Sequence, residues 1–102
     1  MNIQKIMKQA QEMQAKMADL QAKLAAEEIE ATAGGGAVRA VVNGKHELVS
    51  LKIQATAVDP NDVELLEDLL ITAINEAHRR AEERMQAEVS KVTGGMNLPG
   101  LF

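Results

Sequence analysis

A chain of 102 residues that is 46% apolar but has Phe102 as its one aromatic residue allows a single domain with a thin core of Ala, Leu, Val, Ile and Met side chains. The absence of Cys excludes disulfides, thiolate metal sites and cysteine nucleophiles, and the polar opening Met1-Asn2-Ile3-Gln4-Lys5 fits neither a secretory signal nor a membrane span, so the cytoplasm is the expected compartment. A formal charge of −4 speaks against an overall basic nucleic-acid footprint and leaves only local basic surface, in residues 1–26, with four Lys against Glu12 and Asp19, and in residues 34–58.

In chain order, Ile3, Ile6, Ala10, Met13, Met17, Leu20 and Leu24 step by three and four, which is a heptad seam and predicts helix 1 over about residues 2–26. The period then changes to two. Ile29, Ala31 and Ala33 predict one strand, Val38, Ala40 and Val42 a second, and Val49, Leu51 and Ile53 a third with Leu51 and Ile53 on its inner face, all within about residues 28–55. Gly34-Gly35-Gly36 separates the first two, and Asn43-Gly44 predicts a type I′ hairpin between the second and third. Asp59-Pro60 predicts the cap and first residue of helix 2, over about 60–92, with a stripe of Val63, Leu66, Leu70, Ala73, Ile74, Ala77, Ala81, Met85, Val89 and Val92. An apolar tail, 93–102, follows.

The fold class expected is therefore α+β, in the order α-β-β-β-α with a three-stranded antiparallel meander. Helix 2 would run roughly 48 Å, against roughly 23 Å for a seven-residue strand, so it must overshoot the sheet. Antiparallel pairing of the helices would make an arm, with Met1 near the end of helix 2. Uncovered sheet edges and arm faces favour a symmetric homodimer.

The candidate phosphate contacts are Lys5, Lys8 and Lys16 on helix 1 and Arg79, Arg80, Arg84 and Lys91 on helix 2, with Lys5, Lys8, Arg84 and Lys91 gathered at the arm tip. The competing reading is a set of surface ion pairs, since Glu12 stands four residues from Lys8 and Lys16, Glu76 from Arg80, Glu83 from Arg79, and Glu88 from Arg84. His78 and Glu82 have the spacing of two metal ligands, but no third or fourth ligand is supplied, so no metal and no cofactor is expected. His46 reads as an exposed turn residue with no acid to orient it toward Ser50. The three glycines lack the Lys-Ser/Thr and the following helix of a phosphate loop, and read as a flexible connection. Met7, Met13, Met17 and Met85 read as adaptable core. Leu98, Leu101 and Phe102 read as a tail docked within the dimer, in preference to docking on another protein. No nucleophile, base and orienting group can be assembled, so no enzyme is expected.

The stretches Ile6-Met7-Lys8-Gln9-Ala10-Gln11-Glu12-Met13-Gln14, Val41-Val42-Asn43-Gly44, Leu65-Leu66-Glu67-Asp68-Leu69, Asn75-Glu76-Ala77 and the ending Gly94-Gly95-Met96-Asn97-Leu98-Pro99-Gly100-Leu101-Phe102 together resemble the YbaB/EbfC nucleoid-associated family. The resemblance spans essentially the whole chain. It implies a tweezers-shaped homodimer with protruding helical arms that associates with double-stranded DNA in the bacterial nucleoid, through charged residues of the arms, without catalysis, membrane or small-molecule substrate. The other reading of the residues is a protein-interaction module, an adaptor or chaperone-like clamp, for which the acidic balance and Met-rich seams also speak.

Overall fold

The computed structural model describes residues 2–94, so all of the apolar tail beyond Gly94 lies outside the described residues. The elements are α1 (Ile3–Ala26), β1 (Glu28–Ala33), β2 (Val38–Asn43), β3 (Leu48–Ile53), a short 3-10 turn (Ala55–Ala57) and α2 (Val63–Gly94). The strands form one antiparallel sheet in the order β1-β2-β3, as the alternation predicts. The molecule is long and thin, 71 × 23 × 16 Å.

The first half of α2 lies across β1 and β2. Ala73, Ala77 and Ala81, spaced one turn apart and fully buried, meet Ala31, Ala33, Val38, Ala40 and Val42. Small side chains on both surfaces let helix and sheet approach closely, at the cost of a core whose largest fully buried members are Val38 and Val42. Leu66, Leu69, Leu70 and Ile74 close its margin. Leu69, which the expected stripe omits, packs at Gly34: a Cβ there would come within 2.8 Å of its side chain, and Gly34 has φ +64. The three glycines thus make a defined left-handed turn, where a flexible connection was expected.

Two turn expectations are corrected. The hairpin after β2 is not the two-residue type I′ form, because His46 (φ 66), and neither Asn43 nor Gly44, has the positive φ. Asn43 pairs with Glu47 instead, its backbone N–H donating to Glu47 O at 3.0 Å, and its side-chain Oδ1 accepts from Lys45 N and Glu47 N. Three residues then fit between them, with the third left-handed. Gly44 serves a close approach: its N–H donates to Leu24 O at 2.8 Å, and a Cβ would fall 2.3 Å from that oxygen. The hairpin therefore caps the end of α1. At α2, Asp59 and Pro60 form a turn, with Asp59 Oδ1 accepting from Asn61 N and Asp59 O from Asp62 N. Asp62 is the residue whose carboxylate accepts from Leu65 N, so the helix starts at Val63, three residues later than expected.

β3 departs from simple alternation as well. Its register shifts against β2, with Val41 facing Ser50 and Val42 facing Leu48, so Val49 is the extra residue of a bulge. Leu51 and Ile53 do stand on the inner face, opposite Ala40 and Val38, but α2 does not reach them, and they remain 37% and 38% exposed. Their expected burial is not achieved within one chain.

Candidate nucleic-acid interface

α1 is capped by Asn2, whose side chain accepts from Lys5 N at 3.3 Å, and runs without a break to Ala26. Its pairing with α2 is fixed by charge as well as by Leu20 and Leu24, the only buried residues of its seam. Arg84 grips Glu27 with a two-pronged fork, Nε to Oε2 and Nη2 to Oε1, both at 3.0 Å. Its third nitrogen, Nη1, stands 2.8 Å from Glu88 Oε1. Glu88 is the single buried charged residue among those described, 6% exposed, and Lys91 Nζ at 3.3 Å and Lys23 Nζ at 3.6 Å complete its shell. The Arg84 hydrogen bond holds the Glu27 carboxyl below the ordinary range and raises the guanidinium in turn. Burial pushes Glu88 up, but the Lys91 hydrogen bond and the charges of Lys23, Lys91 and Arg84 outweigh it, so this carboxyl too is lowered.

The rest of the α2 cations are also engaged. Arg79 donates to Glu76 and to Glu83, and its hydrogen bond to Glu76 is the first cause that brings that carboxyl down to about 2. Arg80 bonds the same Glu76 and reaches across to Glu30 O at 2.8 Å, tying α2 to β1. Of the expected helix-surface pairs, those of Glu76 with Arg80, Glu83 with Arg79 and Glu88 with Arg84 are present. Those of Glu12 with Lys8 and Lys16 are not among the ion pairs of the described residues.

Both links between the helices, Lys23 with Glu88 and Glu27 with Arg84, have the same offset, which puts Gly94 level with about residue 17 of α1. The arm is therefore staggered. Residues 3–16 run on about 21 Å beyond the end of α2. Lys5 and Lys91 do not share a tip: about 22 Å of helix separates their levels. Lys5, Lys8 and Lys16 instead form a set of their own. At 100° per residue they fall within an arc of about 80°, over about 16 Å of helix, on a face well away from the seam. All three are exposed, and none has an ion pair among the described residues. Lys45, Lys52 and Arg39 are further cations, on the turn and the outer sheet face, with Arg39 held by Glu30 at 2.6 Å.

His78 and Glu82 do not converge on a common point. His78 Nε2 lies 3.0 Å from His46 O, and Glu82 meets His46 Nε2 at 3.3 Å. His46 is exposed at the turn, as expected, and its contact with Glu82 also links the hairpin to α2. Among the described residues no three His, Cys, Asp or Glu side chains are placed to hold a metal ion, and no helix is long and apolar enough to cross a membrane. The Glu27–Arg84 and Lys23–Glu88 links escape sequence reasoning because their partners lie more than fifty residues apart. The one visible signal is Glu88, an acid in phase with the apolar stripe of α2.

Residues 1–96 match the model of the YbaB/EbfC DNA-binding family. Relatives include a nucleoid-associated protein of Clostridium kluyveri, 52% identical over 99% of this chain and 89% of its own length, and one of Alkaliphilus metalliredigens, 54% identical over the same shares. The crystal structure of an uncharacterized protein, HP0035, from Helicobacter pylori shares the fold, with a TM-score of 0.82 at 24% identity, covering 91% of this chain and 98% of that one.

Proposed function

Since the chain belongs to the YbaB/EbfC DNA-binding family, we propose that it is a non-enzymatic nucleoid scaffold that binds double-stranded DNA as a homodimer, through phosphate contacts made by α1. One observation carries the assignment to α1. Of seven candidate cations, Arg79, Arg80, Arg84 and Lys91 already hold carboxylates, whereas Lys5, Lys8 and Lys16 share one exposed face without such partners among the described residues. A cation held by a carboxylate has little net charge to offer a duplex. Free ammonium groups displace condensed counterions, which gives affinity without base readout. This local stripe also answers the repulsion expected from a net charge of −4.

The dimer is supported by the sheet. Leu51 and Ile53 continue the core layer of Ala40 and Val38 beyond the edge of α2, and a second copy laid on this face would cover them. Nucleoid residence in the cytoplasm follows from the same reading.

The test is a titration of duplex DNA by fluorescence anisotropy across a salt series. Lys5→Gln/Lys8→Gln/Lys16→Gln should weaken binding on all sequences alike and flatten the plot of log K against log salt by about 2 to 3 units for each engaged arm. Arg79→Gln/Arg80→Gln should leave the slope as it is. The opposite ranking of the two variants would move the contact to α2, and no binding by the parent at low salt would return the protein-clamp reading.

A further inference from the structure

The stagger of the arm leaves a defined surface uncovered. Ile3 and Ile6 are 68% and 50% exposed, and with Ala10 they continue the same seam whose other end, Leu20 and Leu24, is buried; Met7, 57% exposed, flanks it. An apolar stripe at helical spacing is typically a packing face. α2 runs toward the free end of α1 and reaches only the level of about residue 17 at Gly94. The chain then continues for eight residues, Gly95-Met96-Asn97-Leu98-Pro99-Gly100-Leu101-Phe102, four of them large and apolar.

We propose that Met96–Phe102 docks in extended form along the exposed seam of its own α1. Length, direction and chemistry agree. Eight extended residues reach roughly 26 Å, and the seam from Met17 to Ile3 measures roughly 21 Å. α2 itself, up to Gly94, points along α1 toward its free end. Pro99 lacks a backbone N–H and disfavours helix in the residue before it, so a helical continuation of α2 is disfavoured from Leu98 onward. Met7 and Met13 offer unbranched side chains that adapt to an irregular strand. The tail would keep the seam dry while leaving the lysine face, about a third of a turn away, open to solvent. The proposal does not depend on DNA binding.

The chain contains no Trp or Tyr, so Phe102→Trp supplies a single reporter in the full-length protein. Its emission should be blue-shifted and protected from iodide quenching, and Ile6→Asp/Ala10→Asp in the same chain should remove both effects. Equal quenching with and without the seam changes would overturn the docking. Own-chain docking is separated from exchange between subunits by co-refolding the reporter with altered seam and an excess of chain ending at Gly95 with intact seam. Quenching should stay high, and restored protection would place the tail on a second copy and overturn the proposal. Independently of the reporter, deleting Met96–Phe102 should speed amide exchange in residues 3–13 severalfold while leaving residues 70–85 unchanged, and identical exchange in α1 would count against it.

Discussion

The two helices carry similar numbers of basic residues but use them differently. On α2 every arginine is held by a carboxylate, and two of them, Arg80 and Arg84, bridge to β1 or to the residue that ends α1. On α1, among the described residues, only Lys23, at the end that touches α2, is paired, while Lys5, Lys8 and Lys16 have no ion pair. Apolar residues divide less cleanly, since α2 also exposes Val63, Leu65 and Ile71 and α1 buries Leu20 and Leu24, but the middle of α2 and the free end of α1 contrast. Ala73, Ala77 and Ala81 are sealed against the sheet, but Ile3, Ile6 and Met7 face outward. α2 is thus the structural helix and α1 the presenting one, and counting charges or heptads along the chain cannot distinguish them.

The sharpest way to break this comparison is the same substitution on each helix. Ala77→Leu inserts three carbon atoms between surfaces already in contact and should cost about 1–3 kcal/mol or more, whereas Ala15→Leu, on an exposed face of α1, should change stability by less than about 0.5 kcal/mol. Urea denaturation of the two variants reads the difference, and equal costs would mean that α1 is packed as tightly as α2.

A smaller effect comes from acid. Glu27, Glu76 and Glu88, which organise α2 and its contact with α1, all lie below the ordinary carboxyl value of 4.5, Glu76 at about 2. A carboxyl lowered in the folded state stabilises it fully above the unfolded value and loses that contribution as pH falls through the folded one. Thermal midpoints should therefore be level near neutrality and decline from about pH 4.5 toward 2, more gently in Glu27→Gln and Glu76→Gln. A midpoint that rises with acidity would contradict the structural role given to these pairs.

The smallest expected change is at His46, a non-glycine residue held at φ 66 between the hairpin and α2. His46→Gly relieves the left-handed backbone while adding freedom to the unfolded chain, and its contact with Glu82 is half-exposed, so the net gain should be about 0.5 kcal/mol. A loss of more than that in chemical denaturation would show that the His46–Glu82 contact outweighs the backbone relief.

Secondary structure was legible in the residues because it follows from local periodicity. Steps of three and four announce α1 and α2, and alternation announces β1, β2 and most of β3. Punctuation was less legible. Asn43-Gly44 marks the hairpin correctly, but the turn type depends on Gly44 fitting under Leu24 O, a contact made by a distant segment. Asp59-Pro60 lost the cap to Asp62 because both acids have the required chemistry and only the path of the chain chooses between them.

By itself, then, the sequence determined the order α-β-β-β-α, the apolar stripe of α2, its i,i+4 ion pairs and the family resemblance, since each is written in neighbouring residues. The tertiary structure alone decided the stagger of the arm, and with it that Lys5 and Lys91 stand apart and that Ile3 and Ile6 lie beyond the end of α2. Both follow from two ion-pair links between residues far apart in the chain, Lys23 with Glu88 and Glu27 with Arg84, whose offset no local pattern encodes.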